Sequence, residues 1–175
     1  SVLGARCNRN SGMLDIFGAI IGKVPEFGLL TDEGRKASFI IEVKTTKLPE
    51  AQVLGSAIGL KVMEAVPYIK GLDKFLGEEL TEDVVAYLKD MGAASASNGA
   101  VGLYHVENLT PEAKKLKEKL ILEDAQTYVI DDNELERVYK SYPIMWKDKN
   151  AEPSLCFIGC PHLTYSQLIS WTNKL

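Results

Sequence analysis

The sequence predicts an α/β fold in which a mostly parallel sheet carries helices on both faces. Strand-like and helix-like segments alternate from about residue 37 to the end, the pattern left by parallel strands joined through helical crossovers. Helix-start residues (Ser, Thr, Asp or Pro) recur where one kind of segment gives way to the next. A chain of 175 residues, 46% of them hydrophobic, is also long and apolar enough to bury a core without disulfide support.

The elements follow in order. A polar stretch with Arg6, Asn8, Arg9 and Asn10 leads into a helix beginning near Gly12, with Ser11 as N-cap. Residues 37–45, rich in β-branched and aromatic side chains, form the first strand. Residues 50–65 form a helix entered through Pro49, on which Gly55 and Gly59 permit close approach of a neighbour. Residues 66–69 are a short second strand, and a boundary between two small lobes is placed near 71–80. Thr81 caps a helix running to Met91, with Val84, Val85, Leu88 and Met91 on one face and Gly92 as the stop. Residues 100–106 read as a buried strand. Thr110, Pro111 and Glu112 then supply a cap, a first-turn proline and an acid suited to the helix dipole, opening a charged helix over 112–120. Residues 126–130 are strand-like, and Asp131 or Asp132 caps a helix with Leu135, Val138 and Tyr139 on one side. The last strand spans 154–158 and its exit loop 159–163. Thr164 and Gln167 form a capping box for a terminal helix bearing Leu168, Trp171 and Leu175.

Charge and composition narrow the function classes. Twenty-four acidic against 20 basic residues give a net charge of −4. No Lys/Arg block is interleaved with aromatics, so nucleic acid is not expected as a partner, while small anions need only a local site. The apolar stretches 13–21 and 54–62 are too short and too interrupted to span a membrane. No basic leader with a cleavage site is present, which leads to the expectation of a cytoplasmic protein. The chain begins with Ser1, so further sequence is expected upstream. The lysines at 114, 115, 117 and 119 alternate with acids and read as a solvated face. Asp131, Asp132 and Glu134 read as helix-capping acids. Phosphate-loop and dinucleotide fingerprints are missing.

Ligands of open α/β sheets collect outside the carboxyl ends of the strands, which draws attention to residues just past predicted strand ends. His105 lies there, as do Cys160 and His162. The competing interpretation has His105 bonding a loop and Cys160 packing in the core. Arg6, Asn8 and Arg9, placed just before a helix, offer two guanidiniums near free N–H groups, a site for a carboxylate or phosphate. The alternative there is a solvated polar turn. Three cysteines, Cys7, Cys156 and Cys160, are too few for a secreted disulfide framework. Cys156, Cys160 and His162 also admit a zinc-assisted hydrolase.

Three motifs resemble a known family. SVLGARCNR at the start resembles NSVLGARTNRE, GAVGLYHVENLTPEA at 99–113 resembles GAVALFHVxGVTPEA, and FIGCPHLTYSQL at 157–168 resembles GCPHLSLEEL. All are signatures of the aconitase X family, and they occur in the family's order. The resemblance implies an aconitase-like fold and a hydro-lyase whose iron–sulfur cluster, of 4Fe-4S type, polarises the leaving hydroxyl while a base removes a proton. It implies that Cys160 is a cluster ligand and that the family's other ligating cysteines lie beyond both ends of residues 1–175, making this chain part of the catalytic domain. Arg6, Asn8 and Arg9 would bind the anionic groups of a phosphorylated or carboxylate substrate. His105 and His162 would line the cluster and the substrate pocket as catalytic residues. A separate small subunit with a swivelling domain is the implied partner. Cys7 stands where the family usually has Thr, and Asn10 where it has Glu. Within the family, mevalonate 5-phosphate dehydration is the first expectation, because two arginines suit a phosphate. A hydroxyproline-type dehydratase is the alternative, and a metal-free anion-binding module the reading from another class.

Overall fold

The structure, a computed structural model, describes every residue except Ser11, Trp146, Lys149, Pro153, Cys156 and Leu175. The capping role of Ser11, the cysteine that opens the zinc reading and the last residue of the terminal helix therefore lie outside the described residues.

The elements in chain order are α1 (Gly12–Ile21), 3-10 turns at Gly28–Leu30 and Glu33–Arg35, β1 (Ala37–Val43), α2 (Ala51–Val62), β2 (Pro67–Lys70) and α3 (Asp73–Leu76). They continue with α4 (Glu82–Gly99), β3 (His105–Val106), α5 (Pro111–Leu116), a 3-10 turn at Lys117–Leu120, β4 (Ile121–Ile130), α6 (Asp132–Ser141) and α7 (Tyr165–Thr172). The sheet order is β3-β2-β1-β4 and every pairing is parallel. Ile41 stands opposite Ile69 on one side and Tyr128 on the other. The α/β expectation is met.

Successive residues of a strand face opposite sides of the sheet, and each side has its own cover. Ile41, Ile69, Val106 and Ile130 pack with Leu54 and Ile58 of α2, Leu88 and Met91 of α4, and Val138 of α6. Tyr68 packs instead with Ala113 of α5, Leu103 and Leu120. The core runs continuously through residues 71–80, since Leu72 belongs to the same cluster as Leu88.

Helices α2 and α4 meet through glycine. A Cβ on Gly55 would lie 2.2 Å from the Met91 carbonyl oxygen, and one on Gly59 2.6 Å from that of Ser95. The close approach expected at these positions is present.

Local caps formed as expected. The side chain of Thr81 accepts from Val84 N, Asp131 accepts from Glu134 N, and Thr164 with Gln167 completes a capping box. Four expectations need correction. Gly92 does not stop α4, which runs on to Gly99 and ends at Ala100 in the left-handed region at φ 77°. A Cβ on Gly92 would come 3.0 Å from the Tyr104 ring, so this glycine serves packing, and the Ala/Ser run after it sustains the helix. The strand over 100–106 shrinks to His105–Val106, because its only neighbour, β2, is four residues long and begins with a proline. The helix over 112–120 breaks at Lys117 into a 3-10 turn. Residues 154, 155, 157 and 158 join no strand, and Leu155 and Phe157 are exposed. Conversely β4 starts at Ile121, with a register shift opposite Ala37–Phe39.

Among the described residues no helix is long and apolar enough to cross a membrane.

Candidate functional site

The amino-terminal segment is hung on the 3-10 turn Gly28–Leu30. Arg6 donates from Nη1 to the Leu30 carbonyl at 3.0 Å and pairs with Asp32 at 2.5 Å. The Arg6 bond and charge hold the Asp32 carboxyl below its ordinary range. Asn8 grips the same turn twice: Nδ2 donates to the Phe27 carbonyl at 2.9 Å, and Oδ1 accepts from Leu29 N at 2.6 Å. Gly28 is needed here, because its φ is +57° and a Cβ would sit 2.8 Å from Asn8 Oδ1. Arg9 donates to the Ala100 carbonyl just past the end of α4, where exposed helix carbonyls favour a cation. Further back, the Ser1 hydroxyl accepts from Tyr104 N at 3.1 Å, and Gly4 abuts Pro111. The first two sequence motifs thus form one physical unit.

Asn8 and Arg9 line a cleft of about 230 Å³ together with Leu29, Glu64, Gly102 and Leu103. A Cβ on Gly102 would lie 2.7 Å from Arg9 Nε, so the arginine lies directly against that backbone. Apart from Asn8 and Arg9, the walls of this cleft precede strands: residues 27–29 lie ahead of β1, 64 and 66 ahead of β2, and 102–103 ahead of β3. The cleft with Asn8 and Arg9 therefore lies at the amino edge of the sheet, not at the carboxyl edge to which general α/β behaviour points. At the carboxyl edge, where the strand order reverses between β1 and β4, a cleft of about 440 Å³ is lined by residues including Thr46, Lys47, Glu50, Asp132 and Tyr139. None of the residues expected to form the site lines it.

His105 is fully buried in β3. Its Nε2 lies 2.8 Å from the Arg35 carbonyl, which can only accept, so Nε2 carries the proton and Nδ1 the lone pair. Nδ1 has no hydrogen-bond partner and sits 3.9 Å from Glu112 Oε2. Burial pulls the imidazole below its ordinary pKa of 6.5, against the opposing pull of the Arg35 carbonyl and the Glu112 charge. Arg35, only 2% exposed, holds Glu112 with two bonds, Nε to Oε1 at 2.7 Å and Nη2 to Oε2 at 2.5 Å. Its remaining Nη1 donates to the Leu29 carbonyl at 2.8 Å. Burial alone would raise the Glu112 carboxyl, but the Arg35 bonds and the charges of Arg35 and Arg6 outweigh it and leave the group below its ordinary value. Sequence reasoning took Glu112 as a helix-dipole acid and missed Arg35. The Thr-Pro-Glu run of the second motif was the signal available for Glu112; Arg35, in a polar turn, offered none.

Cys160 is a free, exposed thiol at φ 41°, and the His162 side chain is also exposed. The loop that carries them is tied to α4. Lys89 Nζ donates to the His162 carbonyl at 2.5 Å and to Gln167 Oε1 at 2.9 Å, while Gln167 Nε2 donates to Asp90 Oδ2 at 2.7 Å. From Lys89 to Ala100, the partner of Arg9, is roughly 16 Å along the helix at about 1.5 Å per residue. The structure thus gathers Arg6, Asn8 and Arg9 with the His105–Glu112–Arg35 cluster on one side and holds Cys160 and His162 at a second place. Among the described residues no group of three or more His, Cys, Asp or Glu side chains could hold a metal ion.

The family model described as the aconitase X second domain matches residues 37–140. The phosphomevalonate dehydratase large subunit of Thermococcus kodakarensis is 36% identical over 170 residues, covering 96% of this chain and 40% of that relative. The cis-3-hydroxy-L-proline dehydratase of Hypocrea jecorina is 27% identical over 174 residues, covering 96% of this chain and 28% of that relative. A solved structure, the holo-form of Thermococcus kodakaraensis aconitase X, superposes with a TM-score of 0.66 at 36% identity, covering 85% of this chain and 36% of that one. The chain spans about 40% of the length of the phosphomevalonate dehydratase relatives it matches.

Proposed function

This chain belongs to the aconitase X family, and on that premise we propose that it is part of the large subunit of an iron–sulfur hydro-lyase acting on mevalonate 5-phosphate. The product would be anhydromevalonate 5-phosphate, in an alternative mevalonate route to isoprenoids. The observation that carries this reading is the 36% identity to a phosphomevalonate dehydratase large subunit along 96% of the chain.

An iron–sulfur cluster is held by thiolates, and the exposed, uncommitted thiol of Cys160 fits as one such ligand. When bound, the cluster supplies a Lewis acid for the departing hydroxyl. Asn8 and Arg9, which line the cleft on the amino edge, and Arg6 beside them on the same turn bind and orient the anionic groups of the substrate. His162, exposed two residues beyond Cys160, is assigned to the reacting end of the substrate on the strength of its motif. His105 has no exposed surface, so its contribution passes through its bond to the Arg35 carbonyl. The partner is a small subunit carrying a swivelling domain. A reducing compartment, the cytoplasm, suits an exposed thiol.

A second reading, dehydration of a hydroxyproline, is favoured by the alignment of the Hypocrea jecorina relative over the same 96% of the chain. A carboxylate would use the same arginine of the cleft, Arg9. The test is turnover by the full-length large subunit, reconstituted anaerobically with iron and sulfide and mixed with its small subunit. Water loss from mevalonate 5-phosphate that vanishes in Cys160→Ser is the expected result. Turnover of cis-3-hydroxy-L-proline instead would move the substrate, and failure to assemble a cluster would leave a metal-free anion-binding module.

A further inference from the structure

Arg35 is the most deeply buried charge among the described residues, and the chemistry above makes no direct use of it. A guanidinium this deep is costly to desolvate unless every donor direction is answered. Here three nitrogens are answered: two by Glu112 and one by the backbone of the turn Gly28–Leu30. That same turn supplies the partners of the amino-terminal segment. Asn8 holds Phe27 O and Leu29 N, and Arg6 holds Leu30 O. Glu112 also lies 3.9 Å from Arg6, close enough to attract it without forming a direct bond. A bidentate arginine–carboxylate pair fixes direction as well as distance, because both groups are planar.

We propose that Arg35 and Glu112 are positioning residues: the pair clamps the Gly28–Leu30 turn and thereby sets where Arg6 and Asn8 present themselves to an anionic substrate. Neither residue touches the substrate. The role of His105 follows from the same geometry. Its proton goes to the Arg35 carbonyl, so the neutral ring puts no competing cation on Glu112, whose charge stays with the two arginines. The inference rests on the reading of Arg6 and Asn8 as substrate-binding residues.

Two variants of the full-length large subunit, assayed as the reconstituted complex with its small subunit, test the proposal. Glu112→Gln removes the charge. The double change Arg35→Met with Glu112→Leu replaces the pair by apolar groups of similar bulk, a replacement that buried ion pairs often tolerate without loss of stability. Loss of ground-state binding raises KM and spares kcat, so the expected result is a KM for mevalonate 5-phosphate up by about tenfold with kcat within about twofold. A merely structural pair would do the reverse: a smaller folded, cluster-loaded fraction lowers apparent kcat and leaves KM alone, and that outcome overturns the proposal. Crystal structures of the same variants give a readout that needs no substrate. Displacement of the turn and of the Arg6 side chain supports the clamp, and an unmoved turn refutes it. If the unmodified complex ignores mevalonate 5-phosphate, the substrate reading fails while the crystallographic comparison still decides the pair.

Discussion

Replacing Gly55 with alanine adds one methyl group where α2 crosses α4, and its consequence can be worked from the contact. The new Cβ would lie 2.2 Å from the Met91 carbonyl oxygen and 2.8 Å from Ala94 Cβ. An ordinary carbon–oxygen contact needs roughly 1 Å more than the first of these distances. The obstacle is backbone inside a helix, so it cannot turn aside, and the two helices must separate by about that amount. Alanine gains about 1 kcal/mol in helix propensity. Overpacking costs about 1–3 kcal/mol or more, and a gap of up to about 1 Å between Leu54, Ile58, Leu88 and Met91 forfeits a quarter to a half of their dispersion contact. The net expectation is a loss of about 2 kcal/mol, or about 4–8 °C in Tm for a cooperative unit of this size. A urea titration followed by circular dichroism reads it, with Gly12→Ala as control, since a Cβ there meets nothing within 4 Å. If Gly55→Ala were as stable as the parent while the control behaved as expected, the close α2–α4 crossing would be wrong. The separation would also move the carbonyl of Ala100, which holds Arg9.

Stability should fall on acidification in two stages. His105 stays neutral in the fold while the unfolded chain takes up a proton below its ordinary pKa of 6.5, so the unfolded state gains there and the urea midpoint drops as pH falls past that value. Glu112 adds a second loss below its ordinary 4.5, since its depressed value makes its contribution complete above that pH and lost as the folded group protonates. His105→Gln should flatten the first stage, and a midpoint that rose between neutral pH and the first stage would contradict the buried neutral ring. Gln167→Ala removes both the Lys89 and the Asp90 ties of α7. Hydrogen exchange over residues 165–172 should quicken by about tenfold with little change in the central sheet, because the element opens locally. Unchanged exchange would show that α7 is held by other contacts.

Sequence legibility followed the range of the interaction. The caps at Thr81, Asp131 and Thr164 bond a partner within the same turn, so a short window contains everything that decides them. Gly92 carries a stop signal in any local reading, yet Tyr104 makes it a packing position from outside the helix. Residues 154, 155, 157 and 158 have strand composition, but composition cannot supply a neighbour to pair with.

By itself the sequence determined the fold class, the alternation of elements, the close α2–α4 approach and the family signatures that group Arg6, Asn8, Arg9, His105, Cys160 and His162 as candidates. Only the tertiary structure decided that the Arg6–Arg9 segment lies at the amino edge of the sheet, that His105 is a fully buried ring bonded to the Arg35 carbonyl and that Arg35 and Glu112 bond each other twice. Arg35 meets Glu112 across 77 residues and Arg6 meets Asp32 across 26. Such contacts exist only once β1, β3 and α5 are assembled, because no local preference of either partner selects the other until the sheet brings them within hydrogen-bond reach.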